Sequence, residues 1–196
     1  MQRFVHLFFY DLNTKQRTII VELEERAMEI DVKHACSFTG HRPERLEKPE
    51  EEVIKWLENQ VHEAIGKGFT TFITGMQRGV DIWAAEAVLK EKKAGAQVEL
   101  VAASAFKGME NRWEAPWIKR YNTILAKADD IVYVSDRPGK VAFFKRNEWL
   151  VDHSARLIAV YTGTPGGTQW TIQYARKKNT DKKDDFTRDV IILGKG

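Results

Sequence analysis

From Lys33 onward, short apolar runs alternate with helix-length amphipathic stretches, and three of the runs end in a glycine-bearing loop. The runs are HACSF (34–38), FTTFIT (69–74), QVELVAA (97–103), DIVYVS (130–135), RLIAVY (156–161) and RDVIIL (188–193). Between them helices are predicted from Pro49 to about Lys67, then over 81–93, 113–128, 145–154 and 168–178. Strands that alternate with helices imply an α/β fold, a mostly parallel sheet with helices on both faces.

The first helix shows the signals most fully. Pro49 suits a first helical turn, and Glu50, Glu51 and Glu52 suit its positive dipole end. Val53, Trp56, Leu57, Val61, Ala64 and Ile65 then recur at helical spacing, and Gly66 and Gly68 end the element. The stretch 135–154 is a long connection for this architecture and is predicted to form a lid. RKKNTDKKDD (176–185) reads as a solvated surface loop.

Ahead of this series, residues 3–10 and 17–24 are β-rich and flank the turn formers DLNTKQ, which predicts an N-terminal β-hairpin extension. The expected division is 1–32 for hairpin and connector and 33–196 for the α/β domain. An aromatic arm such as RFVHLFFY would be an edge-pairing hazard on a monomer, so a homo-oligomer is expected.

Composition narrows the function classes. The lone Cys36 excludes a disulfide framework and any cysteine-based zinc site. Among 196 residues, 31 Lys and Arg stand against 28 Asp and Glu, and the signs interleave. A net charge of +3 without a basic stripe makes a nucleic-acid partner unlikely on charge alone. No apolar run reaches the roughly 20 residues of a membrane helix, and the N-terminal residues lack the form of an export signal, so a cytoplasmic location without membrane contact is expected.

In open parallel sheets ligands bind beyond the carboxyl ends of the strands. TGHRP (39–43), TGMQRGVD (74–81) and TGTPGGT (162–168) each follow a strand and precede a helix. Glycines there let backbone approach a ligand, and free helix N–H groups attract anions, so the three loops together point to a phosphate- or nucleotide-like ligand. Neither the dinucleotide fingerprint GxGxxG nor the Walker motif occurs, which argues against a dehydrogenase or a P-loop hydrolase. Arg42 has the chemistry to grip a phosphate, or to sit in a surface ion pair, and His41 to donate to one. Asp81 is placed either to accept from ribose or base, or to cap a helix. Arg146 and Asn147 beside Phe143 and Phe144 suit phosphate and base contacts, or else a helix surface with the phenylalanines in the core. Glu110 and Asn111 either face the same cleft or cap the next helix. Asp152-His153-Ser154 has triad residue types, but neighbours in a chain cannot form that geometry, and a structural cluster is expected. The tryptophans 113, 117, 149 and 170 are read as packing, with one stacking on a base as the alternative. No His and carboxylate cluster has metal-ligand spacing, so no metal and no cofactor are expected.

The ordered set TGHRP, TGMQRGVDIWAAEAVL, AFKGMENRW and FFKRNEWLVDHSARLIAVYTGTPGGTQWTIQYA closely resembles the YpsA-like family over about residues 34–178. That family belongs to the SLOG superfamily, the Rossmann-like group shared with the DNA-processing protein DprA and the Lonely Guy enzymes. The resemblance implies a pocket for a nucleotide-derived molecule. Thr39, Gly40, His41 and Arg42 would line its first loop, and Gly75, Met76, Gly79 and Asp81 its second. Arg146 and Asn147 would come from the lid, and Gly163, Thr164, Gly166, Gly167 and Thr168 from the last phosphate loop. Lonely Guy enzymes carry PGGxGTxxE, whose Glu assists cleavage of the base–ribose bond. Here PGGTQWTIQ places Ile172 and Gln173 where that acid belongs, which leans away from an enzyme.

The expectation is therefore a domain that senses or sequesters an ADP-ribose-type or cyclic nucleotide signal, for example in phage or antiphage signalling. A nucleoside-monophosphate N-glycosidase using Asp81 or Glu110 is the first alternative, and a DprA-like single-stranded nucleic-acid binder the second.

Overall fold

The computed structural model describes residues 29–181, 184 and 186–194. The predicted hairpin of residues 3–24 lies outside them. Six strands, β1 (Ala35–Gly40), β2 (Thr71–Thr74), β3 (Glu99–Ser104), β4 (Asp130–Tyr133), β5 (Arg156–Val160) and β6 (Asp189–Leu193), form one sheet in the order β4-β3-β2-β1-β5-β6. Every neighbouring pair is parallel. The helices are α1 (Glu50–Gly66), α2 (Val80–Lys93), α3 (Ala115–Leu125), α4 (Lys140–Asp152) and α5 (Gly167–Asp181). The fold is the Rossmann-like α/β sheet that the sequence implies.

Because successive strand side chains point to opposite faces, each strand feeds two cores. Cys36, Phe38, Phe72, Leu100, Ala102 and Ile158 pack with α1 and α2 residues such as Val53, Leu57, Trp83 and Val88, and α3 joins them through Tyr121 and Ile124. On the other face, Ala35, Ile73, Val101 and Ala103 meet Leu150 of α4, and Leu157 and Ala159 meet Ile172 and Ala175 of α5. No helix among the described residues is long and apolar enough to cross a membrane.

Two expectations change. The stretch 135–154 is no lid: residues 140–152 form the regular helix α4, whose Ala142, Leu150 and Val151 are buried on the sheet. The helix starts five residues earlier than the predicted 145, taking in Lys140–Phe144. The charged run 176–185 is likewise not all loop. Its first six residues complete α5, where Lys178 pairs with Asp152 at 2.8 Å.

Candidate functional site

Strand order reverses between β1 and β5, and at such a point the outgoing loops turn to opposite faces and leave a crevice at the strand carboxyl ends. The first and third glycine loops leave β1 and β5. A cleft of about 330 Å³ opens between them, closed at the back by α2 and flanked by α4.

The short 3-10 turn Pro43–Arg45 that follows β1 joins the three loops. Glu44 accepts from Arg78 of the second loop at 2.6 and 3.1 Å, while Arg45 Nη2 donates to Thr164 Oγ1 and to the Pro165 carbonyl, both at 3.1 Å. Gly79 makes this closeness possible. Its φ of 92° suits glycine, and a Cβ there would stand 2.9 Å from the His41 carbonyl oxygen.

At the back of the cleft lies a buried ion pair. Asp81, in the first turn of α2, accepts from Arg146 Nη1 at 3.0 Å and from the Gln77 N–H at 3.2 Å. Arg146 reaches over from α4 on the opposite face of the sheet and also donates to the Gly75 carbonyl. Both side chains are 6% exposed. Burial pushes the Asp81 carboxyl up from its ordinary range, against the pull of the adjacent guanidinium. Burial also lowers Arg146, but its intrinsic basicity and the Asp81 contact keep it cationic.

The front of the cleft is positive. Arg42, Arg45 and Lys140 line it together with Arg146, and Asp81 is the one carboxylate among the lining residues. Gly167 and Thr168 present the start of α5, whose first N–H groups are unpaired within the helix. His41 is buried, stacks on Tyr161 at 5.8 Å, and leaves Nε2 without a partner among the described residues; Arg146 Nε is in the same position. Desolvation lowers the His41 pKa, so its imidazole is neutral at pH 7.

Of the residues singled out in the sequence, Thr39, Gly40, His41, Arg42, Asp81, Arg146, Asn147, Gly167 and Thr168 come together on this cleft, with Phe143 and Phe144. The others stand behind its wall. Gly75 receives Arg146, Met76 is buried in the core with a φ of 60°, and Gly79 packs on the first loop. Thr164 holds Arg45, Gly163 turns the chain at φ 84°, and a Cβ on Gly166 would meet Arg45 Nη1 at 3.2 Å. Glu110 and Asn111 are not brought to the cleft; they sit in the turn before α3, where the Glu110 carbonyl accepts from the Trp113 N–H at 2.8 Å. Ile172 is buried against the sheet and Gln173 is exposed. Asp152, His153 and Ser154 are structural. Asp152 pairs with Lys178, His153 stacks on Trp149, and Ser154 Oγ donates to the Leu150 carbonyl at 2.8 Å.

Sequence reasoning missed Arg45, Gln77 and Lys140. Arg45 had a signal: it follows Arg42 by three positions, and in a 3-10 turn side chains at that spacing eclipse. Lys140 had another, since Pro138-Gly139 marks a helix start.

The model of the YspA SLOG family matches residues 36–193. A UPF0398 protein of Halalkalibacterium halodurans is 31% identical over 137 residues, covering 68% of this chain and 72% of that protein. The uncharacterized SPbeta prophage-derived protein YoqJ of Bacillus subtilis is 33% identical over 118 residues, covering 54% of this chain and 69% of that protein. Among solved structures, DNA processing protein A from Helicobacter pylori, described for its single-stranded DNA binding mode, matches 85% of this chain and 67% of its own at a TM-score of 0.56 and 16% identity. DNA processing protein A (DprA) from Streptococcus pneumoniae matches 83% of this chain and half of its own at a TM-score of 0.57 and 15% identity. At those identities the likeness is one of fold.

Proposed function

Because the chain belongs to the YspA SLOG family, whose model spans residues 36–193, we propose that it binds a small nucleotide-derived ligand in the cleft between β1 and β5. One observation carries this reading: four cations line the cleft against a single carboxylate that is already paired, beside the open start of α5. A phosphate or pyrophosphate group is the chemistry that such a set accepts, through charge-assisted bonds from Arg42, Arg45 and Lys140 and backbone N–H groups at Gly167 and Thr168. The same set supports binding over hydrolysis. Asp81 is held by Arg146, and neither Ile172 nor Gln173 offers an acid, so an N-glycosidase lacks its proton donor.

The ligand class is an ADP-ribose-type or cyclic nucleotide signal, which the domain senses or sequesters. One relative is a prophage-derived protein, and a phage setting for that sequestering role is part of the proposal. Thermal-shift titration of the full chain with ADP-ribose, cyclic nucleotides and nucleoside monophosphates tests the reading. Stabilisation by at least one, weakened in Arg42→Ala, is expected; an unmoved melting curve across the panel rejects it.

Binding of single-stranded nucleic acid is the second reading, favoured by exposed Arg42, Arg45 and Lys140 at the mouth of a fold shared with DNA processing protein A. A gel shift with a short single-stranded oligonucleotide whose affinity falls steeply with salt would support it over the small ligand.

A further inference from the structure

We propose that Phe144 and Trp170 form a nucleobase-stacking wall of the cleft, set one helical turn behind the two helix starts that face the phosphate. The proposal rests on the nucleotide reading and specifies its other half, the group that the phosphate carries with it.

The two helices flanking the cleft repeat one arrangement. α4 begins with Lys140 and carries Phe144 four residues later; α5 begins with Gly167 and carries Trp170 three residues later. At 1.5 Å of rise per residue their Cα atoms lie roughly 4.5–6 Å along each axis from the anion-attracting end, and helical side chains lean back toward that end. Phe144 thus shares the cleft with Lys140, Gly167 and Thr168, and in a nucleotide a ribose separates the phosphate from the base. The rings meet edge to face, with centroids 5.4 Å apart at 73°, the geometry that aromatic quadrupoles favour. Phe144 lines the cleft itself, and Lys140 Nζ stands 5.9 Å from its ring centroid.

Trp170 is the anomaly that needs a reason. It is 44% exposed, whereas Trp83 and Trp117, Trp113 and Tyr121, and Trp149 and His153 pack in pairs within the fold. Its backbone is fixed in the first turn of α5 by a bond from its N–H to the Gly166 carbonyl at 3.0 Å. An indole held rigidly, half in water and edge-on to a cleft-lining phenyl ring, extends an apolar wall outward from the phosphate end. Every nucleobase has a π-face, so the wall selects for a base without reading which one, and stacking of this kind is worth about tenfold or more in affinity.

Adenosine 5′-monophosphate and ribose 5-phosphate differ only by the base, so the pair isolates the wall. By calorimetry on the full chain, the monophosphate is expected to bind about tenfold or more tighter. Phe144→Leu should erase that difference while leaving ribose 5-phosphate unchanged. Trp170→Leu, at an exposed position that the fold tolerates, should weaken only the monophosphate and remove its quenching of tryptophan emission. Equal affinities in the parent chain, or both ligands weakened alike by these substitutions, overturn the proposal and reduce the two rings to a contact between α4 and α5. Failure of both ligands to bind the parent chain is a different result. It overturns the phosphate reading itself, and the wall with it.

Discussion

Arg146 Nη1 lies 3.0 Å from Asp81 Oδ2, and the two side chains come from helices on opposite faces of the sheet. Read separately, each residue looks like a ligand contact. Together they form a strut across the carboxyl end of β2. Removing one partner of a buried pair strands the other charge, so Asp81→Ala should cost about 3–5 kcal/mol. The double variant Asp81→Ala/Arg146→Met should lose less than the Asp81→Ala and Arg146→Met losses combined. Urea denaturation of the four proteins checks this, and a single-variant loss below about 1 kcal/mol would refute the strut.

Gly75 is the seat of that strut. A Cβ there would fall inside the contact distance of Arg146 Nη1 and 2.6 Å from Asp81 Oδ2, so the ion pair would have to shift. Gly75→Ala should destabilise by about 1–3 kcal/mol, the range for overpacking a filled site. The loss should shrink when Arg146→Met is already present, read by thermal unfolding.

Acid stability should depend on His41. Burial holds its folded pKa below the ordinary value of 6.5, so the unfolded chain takes up a proton first as pH falls. The neutral ring's contribution is full above pH 6.5 and is lost as pH drops through that value toward the folded pKa. His41→Gln should flatten this part of the stability curve below about pH 6.5, with little effect above. Denaturation midpoints at four pH values decide it, and parallel curves for the two proteins would count against it.

Arg45 ties two loops but is itself exposed, so Arg45→Ala should cost less than about 1 kcal/mol of stability. If it faces phosphate, affinity for ADP-ribose should fall about tenfold, since a bond to a charged group contributes more. Melting and calorimetry on the same variant separate the two effects, and unchanged affinity would remove Arg45 from the site.

How far the chain could be read in advance follows from what each residue's role depends on. Strands such as RLIAVY and loops such as TGHRP are local patterns, and they appear where expected, β1 running two residues into its loop. Arg146 is different. Its partner lies 65 positions away on the other face, and no spacing rule links α4 to Gly75. Trp170 shows the same limit: one exposed indole in a helix acquires meaning only when Phe144 is set beside it.

The bonds from Arg45 to the loop after β5 have a consequence for how the cleft comes into being. Arg45 and Pro165 stand 120 residues apart in sequence. The strand pairing that brings them together, β1 with β5, is correspondingly distant, and such contacts form slowly because a large loop must close first. A growing chain that has made β1 to β4 already holds Arg42 and Asp81, yet it has one wall of a cleft and nothing opposite. On the proposed reading, a ligand would find both walls only once β5 and the start of α5 are in place, and by mass action it would stabilise those molecules over shorter fragments.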